Sequence, residues 1–149
     1  MLAQLLGAFV GAVIVWLQFM PHWGETSDAA AKLACFSTGP AIRRTVSNFI
    51  GEMVGTFLLT FGVMAIVKGN PAPGVAPFLV GATVAGVGFG LGGTTGFAIN
   101  PARDLGPRIA HAILPIPGKG GSDWAYAPVP VVGPLVGGAL AGALAKALM

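Results

Sequence analysis

Four long apolar runs, separated by polar or glycine- and proline-rich segments, divide the chain. They cover residues 1–20, 49–67, 77–93 and 128–148. Each run is close to the ~20 residues that an α-helix needs to cross the hydrocarbon core of a bilayer. The largest polar segment, residues 22–47, is predicted to be a loop with a short helix near residues 27–35. The pattern therefore predicts an all-α membrane protein with four spans.

One further helix is predicted where the pattern does not allow a full span. Asn100 precedes Pro101, and an Asn N-cap followed by Pro at the first helical position is a typical helix start. Pro115 and Pro117 end this helix, so that it extends only over about residues 101–114. A short helix that carries ionisable residues and follows an apolar run is typical of a re-entrant half-helix that lines a polar cavity.

The composition favours a membrane protein and argues against several function classes. Hydrophobic residues make up 54% of the chain and charged residues only 9%, against about 25% charged residues in soluble domains. The net charge of +3 comes from eight scattered basic residues without a Lys or Arg run, which argues against nucleic-acid binding. The single Cys35 excludes an internal disulfide.

No catalytic or metal-binding set stands out. Cys35 lies in a predicted loop, and His22 and His111 have no partner at the spacing of a metal site. His111, on the predicted half-helix, is expected at the surface or in a vestibule. We therefore predict no enzymatic activity, no metal and no cofactor.

Glu52 is the one acidic residue within the four predicted spans. It could lie at the membrane edge, or it could be buried and accept hydrogen bonds; its position alone leaves both interpretations open. Gly51 and Gly55 flank it at the spacing that permits close packing.

Glycine pairs at the same spacing occur in the first and last spans, as Gly7/Gly11 and Gly133/Gly137. Both members of such a pair lie on one helix face and permit close contact between helices.

Two other patterns are interpreted as chance matches. Gly88, Gly90 and Gly93 satisfy the dinucleotide-binding pattern Gly-x-Gly-x-x-Gly, but they lie within a predicted span and not after a strand. Asn70-Pro71-Ala72 lies in a turn, where Pro73 and Gly74 are expected to prevent a helix.

The half-helix and the residues before it carry the candidate chemistry. A charged residue at membrane depth usually marks a polar pathway, and Arg103 would point guanidinium donors into it. Asn100 would add amide donors near the positive end of the helix dipole, where hydroxyl-bearing solutes are accepted and cations repelled. Phe97 would supply an apolar wall. If the segment is extended, the backbone carbonyls of Gly96, Phe97, Ala98 and Ile99 would form a ladder of hydrogen-bond acceptors.

Donors on one side and an apolar wall on the other suit a small polyol.

The alternative for Arg103 and Asp104 is a structural role in anchoring a loop. Adjacent residues on a helix do not face one another, so a direct salt bridge between these two is not expected.

Residues 96–108, Gly-Phe-Ala-Ile-Asn-Pro-Ala-Arg-Asp-Leu-Gly-Pro-Arg, resemble the second Asn-Pro-Ala box of the major intrinsic proteins, the aquaporin and glycerol-facilitator family. Residues 48–57 are similar to that family's fourth span and residues 130–138 to its sixth. Asp104 directly after Arg103 is typical of the glycerol-conducting branch.

The resemblance implies a role for each matching position. The box itself would be Asn100, Pro101 and Ala102. The selectivity filter would contain Gly88, Phe97 and Arg103. Glu52 would be the buried glutamate that holds the loop before the half-helix, and Asp104 would mark the branch and support the loop.

The family has six spans and two half-helices, and the chain resembles spans three to six and the second half-helix. The resemblance thus implies an all-α membrane protein with an aquaporin-like helical bundle that is partial, in which residues 1–149 form a C-terminal part of the channel domain.

The function implied is a passive channel for glycerol and other small neutral polyols, for water and for urea, that excludes ions and protons. The alternative is a non-conducting half-channel that acts as a packing or assembly subunit in the membrane. The resemblance also implies a homotetramer if the chain is complete.

The resemblance implies a multi-pass protein of a bacterial-type inner membrane with cytoplasmic termini. Because a re-entrant segment returns to its own side, both termini share one side. A count of Lys and Arg favours the opposite orientation, because the cytoplasmic side usually carries more of them. Three basic residues lie across the membrane from the termini and two lie on the side of the termini, namely Lys32, Arg43 and Arg44 against Lys68 and Lys146.

Overall fold

Helices and turns make up the whole fold in the computed structural model, which describes residues 1–149. The helices are α1 (Leu2–Gln18), α2 (His22–Glu25), α3 (Ala29–Ala34), α4 (Thr45–Lys68), α5 (Val75–Leu91), α6 (Pro101–Ile113) and α7 (Pro128–Leu148), with a 3₁₀ turn at Gly92–Thr94. Three segments are long and apolar enough to cross a membrane, namely α4, α5 with its 3₁₀ turn, and α7; α1 is apolar but shorter. The predicted all-α class is confirmed.

Two spans begin earlier than the apolar pattern predicts. In α4 the cause is Asn48, whose Oδ1 accepts the Arg44 N–H at 2.9 Å while its Nδ2 donates to the Ile42 carbonyl at 3.1 Å. These bonds support a first turn that is polar in sequence, so the helix starts at Thr45.

In α5 the helix starts at Val75, directly after Gly74, which has a left-handed φ of 83°. The expectation that no helix can follow Asn70-Pro71-Ala72 is therefore wrong. Pro77 is tolerated because the first turn of a helix leaves N–H groups unpaired in any case. Asn70 does not cap this helix, since Gly74 occupies the N-cap position.

The short helix α6 starts as predicted and ends within one residue of the predicted end. The Asn100 Oδ1 accepts the Ala102 N–H at 2.9 Å, which confirms the predicted cap. At the other end the Lys119 Nζ donates to the carbonyls of His111, Ala112 and Leu114 at 2.7, 2.8 and 2.7 Å. A lysine thus caps the C-terminus, where the helix dipole is negative.

Close helix contact depends on glycines at only some of the predicted positions. A Cβ on Gly137 would overlap the Met53 carbonyl, and one on Gly133 would lie 2.9 Å from the Glu52 Cβ, so α7 packs against α4 through this pair. By contrast, Gly7 and Gly11 have nothing within 4 Å of a Cβ, so they make no close helix contact within the chain.

The contact of α1 with α6 instead uses Gly106, where a Cβ would lie 2.9 Å from the Leu5 carbonyl oxygen. The predicted pair Gly51/Gly55 faces mainly the segment before α6, and Gly55 also faces Val87 of α5. A Cβ at these positions would lie 3.1 Å from the Thr95 Cγ2 and 3.3 Å from the Ile99 Cγ2, respectively.

The loops at one end of the helices pack into a small core of their own. Its buried members are Ala12 of α1, Trp23 of α2, Phe36 after α3, Ala110 of α6 and Ile116. The Trp23 Nε1 also donates to the Trp16 carbonyl at 2.9 Å. This end of the molecule, called the loop end below, thereby holds α2 and α3 against α1 and α6.

Helix α5 is the least covered of the spans. It packs against α4 and the 3₁₀ turn. Val87 is its only buried residue, and Phe89 is 94% exposed. The face of α5 that is turned away from α4 therefore has no partner within the chain.

We predict that Gly137→Ala destabilises the fold whereas Gly142→Ala, five residues along α7, does not. The new methyl at 137 collides with backbone of α4, so the helices must separate, at a typical overpacking cost of about 1–3 kcal/mol. At Gly142 nothing lies within 4 Å, and Ala gains helix propensity of about 0.5–1 kcal/mol. Thermal loss of helical circular dichroism in detergent measures both; equal melting temperatures would contradict the assigned α4–α7 contact.

Candidate functional site

The segment that leads into α6 has an irregular backbone. Gly96, Phe97 and Ile99 have φ values of 85°, 63° and 47°, so the segment is not extended, and the ladder of carbonyl acceptors stays a prediction. The left-handed region is unfavourable for residues with a Cβ, and Phe97 and Ile99 are both strained. Even so, none of the four carbonyls from Gly96 to Ile99 accepts a hydrogen bond from the chain.

Glu52 of α4 holds this segment in place. Its Oε1 accepts the Ala98 N–H at 3.1 Å and its Oε2 accepts the Ile99 N–H at 2.7 Å. The residue is only 1% exposed. The sequence leaves open whether Glu52 lies at the membrane edge or is buried and accepts hydrogen bonds. In the structure it is buried and accepts two. Two charge-assisted bonds to successive N–H groups fix a backbone that would otherwise relax.

The ring of Phe97 lies directly against the end of α5. A Cβ on Gly88 would be 3.0 Å from the Phe97 Cζ, and a Cβ on Gly92 would be 2.9 Å from the Phe97 Cβ. The missing side chains at both glycines therefore make the space for the ring. Gly96 is packed as tightly on its other side, since its Cβ would lie 3.0 Å from the Gly39 carbonyl.

Donors occupy the start of α6. With its Oδ1 engaged in the cap, Asn100 keeps an amide Nδ2 that donates to no group of the chain. Arg103, on the first turn, is exposed and makes no hydrogen bond or ion pair. Pro101 is half-buried and Ala102 buried. The structure thus brings together Gly88 and Phe97 of the predicted filter and leaves Arg103 as a free cation.

Asp104 forms its ion pair with Arg108, one turn along α6, and not with Arg103. The Arg108 guanidinium donates to Asp104 Oδ1 at 2.7 Å and Oδ2 at 2.8 Å. It also donates to the carbonyls of Thr38, Ser122 and Asp123 at 2.9, 2.8 and 2.9 Å. Every guanidinium N–H is thereby used, which satisfies a side chain that is completely buried.

Asp104 is equally well satisfied. Its Oδ2 accepts the Thr38 N–H at 2.8 Å and the Thr38 hydroxyl at 2.6 Å. The pair therefore ties both loops of the loop end, residues 35–44 and 114–127, to one helix. Sequence reasoning singled out Asp104 as loop support but missed the role of Arg108, which the i, i+4 spacing could have indicated.

A second, exposed contact joins the same two loops. Arg43 Nη2 lies 2.5 Å from Asp123 Oδ2, and its guanidinium lies 5.6 Å from the centre of the Tyr126 ring. The Tyr126 hydroxyl donates to the Thr95 carbonyl at 3.3 Å, beside the strained segment. Burial raises the pKa of Tyr126, so the phenol stays protonated and remains a donor.

His111 is completely buried, so its expected place at the surface or in a vestibule is wrong. The loop after α6 folds back over it: the His111 Nδ1 lies 2.9 Å from the Ser122 Oγ, and its ring meets that of Phe36 edge-on at 5.3 Å. No group of His, Cys, Asp and Glu residues in the chain has the arrangement of a metal site.

Comparison with known proteins gives matches over most of the chain. The family described as Major intrinsic protein matches residues 1–145. The glycerol uptake facilitator protein of Bacillus subtilis (strain 168) is 58% identical over 133 residues, which are 89% of this chain and 48% of that protein. Glycerol uptake facilitator protein 3 of Lactiplantibacillus plantarum is 57% identical over 133 residues, or 55% of its length. The chain therefore spans about half the length of these curated relatives.

A solved structure has the same arrangement of helices. The X-ray structure of the aquaglyceroporin from Plasmodium falciparum superposes with a TM-score of 0.81 at 28% identity, and the match covers 99% of this chain and 62% of that one. This similarity confirms the predicted aquaporin-like, partial helical bundle.

The two Asp–Arg pairs differ in burial, and we predict that their loss differs accordingly. Asp104→Asn leaves a buried guanidinium without its counter-charge, and removing one partner of such a pair typically costs about 3–5 kcal/mol. Asp123→Asn breaks a pair whose arginine is exposed, which typically costs about 0–1 kcal/mol. Thermal melting in detergent compares the two isosteric variants; a melting temperature equally lowered in both would contradict the network.

Proposed function

Because the chain belongs to the major intrinsic protein family, we propose that it forms the C-terminal part of a passive membrane channel for glycerol and other small neutral polyols. Members of this family are channels and not enzymes. The observation that carries the proposal is the row of unpaired carbonyls from Gly96 to Ile99, held by Glu52 and adjoining the free donors of Asn100 and Arg103. Two curated relatives named glycerol uptake facilitators support the choice of solute.

A polyol needs both kinds of partner as it leaves water. Each hydroxyl donates one hydrogen bond and accepts others, so a passage that offers only donors or only acceptors would leave half of these bonds unmade, at a typical cost of about 1–3 kcal/mol per group. The carbonyls supply acceptors, and Asn100 and Arg103 supply donors. The ring of Phe97 would pack against the carbon skeleton of the solute.

The narrowest part of the passage would contain Gly88, Phe97 and Arg103. The ring of Phe97 is fixed from behind by Gly88 and Gly92, so the side chain presents a rigid wall. Arg103 has no partner within the chain and would direct its guanidinium towards the solute.

Ions and protons would be excluded by charge. The N-terminus of α6 carries a positive partial charge of about half a unit, and Arg103 adds a full positive charge nearby. Cations and hydrated protons would meet this field in a passage too narrow for their water shells. Water and urea, which are small and neutral, would pass.

The protein is an integral, multi-pass membrane protein, as its family and its apolar helices require. We further propose a bacterial-type inner membrane, cytoplasmic termini and a homotetramer in the complete protein. Bacterial relatives support the first of these proposals, and the other two rest on the family resemblance.

The alternative is a non-conducting half-channel that serves as a packing subunit. One observation favours it: the face of α5 around Phe89 has no partner within the chain. A passage lined on one side by this chain and on the other by lipid would not be a water-filled pore.

We predict that the residues of this chain conduct glycerol when the rest of a channel surrounds them. The matched 133 residues of the Bacillus subtilis glycerol uptake facilitator can be replaced by the corresponding residues of this chain, and glycerol flux measured in liposomes by light scattering. Flux in this chimera comparable with that of the parent is expected. Flux no greater than that of bare lipid, from a chimera that folds, would overturn the proposal.

The 149-residue chain, measured alone in the same assay, tests the packing-subunit alternative. That alternative requires a glycerol flux no greater than that of bare lipid.

We predict that filter substitutions in the chimera change selectivity in opposite directions. Arg103→Ala removes the cation and widens the passage, so larger polyols and ions should enter. Phe97→Trp enlarges a ring that already contacts Gly88, so glycerol flux should fall by about tenfold or more, since ~1.4 kcal/mol in barrier is a factor of ten. Phe78→Trp, on the exposed far end of α5, is the matched control. Flux insensitive to both filter variants would refute the assignment.

A further inference from the structure

A groove between α4 and α7 lies at the end of the molecule opposite the loop end. Its volume is ≈ 380 Å³. Residues lining it are Val63, Met64, Val67 and Lys68 of α4, and Ala145 and Lys146 of α7. Its walls are thus apolar along their length, and its outer edge, where both helices end, carries two ammonium groups.

The two lysines are free cations. Of the basic side chains, Lys32 and Lys119 donate to carbonyls, and Arg43 and Arg108 form ion pairs. Lys68 and Lys146 belong to neither group, because no hydrogen bond or ion pair of the chain involves them.

A lysine in the last turn of a helix often serves the helix itself, by interacting with the negative end of the dipole. Lys119 shows what that role looks like in this fold, since its Nζ donates to three carbonyls at the end of α6. Lys68 and Lys146 stand near the ends of α4 and α7 and donate to none. Their positive charge is therefore available to another molecule.

No acidic side chain balances that charge. The five carboxylates of the chain are Glu25, Asp28, Glu52, Asp104 and Asp123. All of them lie at the loop end or are engaged with backbone N–H groups and Arg108. Met149, which also lines the groove, adds no acidic side chain.

The apolar part of the groove opens onto the exposed surface of α4. Val67 is 66% exposed and Met64 38% exposed, on a helix that is long and apolar enough to cross the bilayer. Where such a surface of a span is not covered by protein it faces lipid, and an acyl chain can lie along the groove. A ligand that complements both parts has an anionic head and an apolar tail.

We propose that this groove binds an anionic phospholipid. The headgroup phosphate lies between Lys68 and Lys146, and an acyl chain lies against Val63, Met64 and Val67. Basic residues at a membrane surface attract anionic lipids, and here an apolar groove that ends between two unpaired ammonium groups makes the attraction local. Zwitterionic phospholipids lack the net charge and bind less tightly.

Tryptophan quenching tests the proposal on the full chain. The native tryptophans, Trp16, Trp23 and Trp124, belong to the loop end or its neighbouring turn of α1, so Met64→Trp places a reporter in the groove. Brominated phosphatidylglycerol titrated into mixed micelles should quench the reporter at lower mole fraction than brominated phosphatidylcholine. The double variant K68Q/K146Q should remove this preference, by about fivefold per lysine.

Arg44→Gln is the matched control, because Arg44 is also exposed and unpaired but lies at the loop end. An equal preference for the two lipids, no change in K68Q/K146Q, or an equal loss in Arg44→Gln would each overturn the proposal. So would abolition of the preference by millimolar inorganic phosphate, which would indicate a site for soluble anions. Native mass spectrometry of the unsubstituted chain and of K68Q/K146Q, counting bound phosphatidylglycerol, gives the same comparison if Met64→Trp does not fold.

Discussion

The carboxylate of Glu52 fixes the part of the backbone on which the proposed pathway depends. Left-handed φ values at Phe97 and Ile99 cost about 1–3 kcal/mol each, and a buried carboxylate is itself costly unless its oxygens are hydrogen-bonded. Each cost is offset by the other, because the strained segment turns two successive N–H groups towards α4 and Glu52 accepts both. The carbonyls of the segment then remain free for a molecule that is not part of the chain.

Glycine allows the elements to come close enough for this arrangement. α7 supports α4 behind Glu52 because Gly133 has no Cβ. The ring of Phe97 fits against α5 because Gly88 and Gly92 have none. The loop before α4 meets the strained segment at Gly39 and Gly96. Because a glycine contributes only backbone at each of these places, the position of the segment depends on helices that lie far from it in the sequence.

The sequence predicts this architecture better than it predicts the contacts within it. Helix α6 could be predicted because Asn100 and Pro101 act locally, and the spans because their apolar runs are long. Gly106 contacts α1, whereas the pair Gly7 and Gly11 contacts no helix of the chain. Which glycines lie at a contact depends on which helices meet, and the spacing of glycines does not reveal this. His111 was placed wrongly because its burial results from a loop that folds back over α6. The left-handed segment before Asn100 could not be predicted, since only the distant Glu52 makes it stable.

The lysine cap of α6 has a consequence for the electric field of the half-helix. An uncapped helix is a dipole whose two ends have opposite and nearly equal effects on a passing charge. Here the ammonium of Lys119 covers the carbonyl end, while the end at Asn100 is capped only by a neutral amide oxygen. The half-helix thus presents mainly positive potential, and in the proposed passage a cation that approaches from the capped side would meet the ammonium of Lys119 beside the last carbonyls.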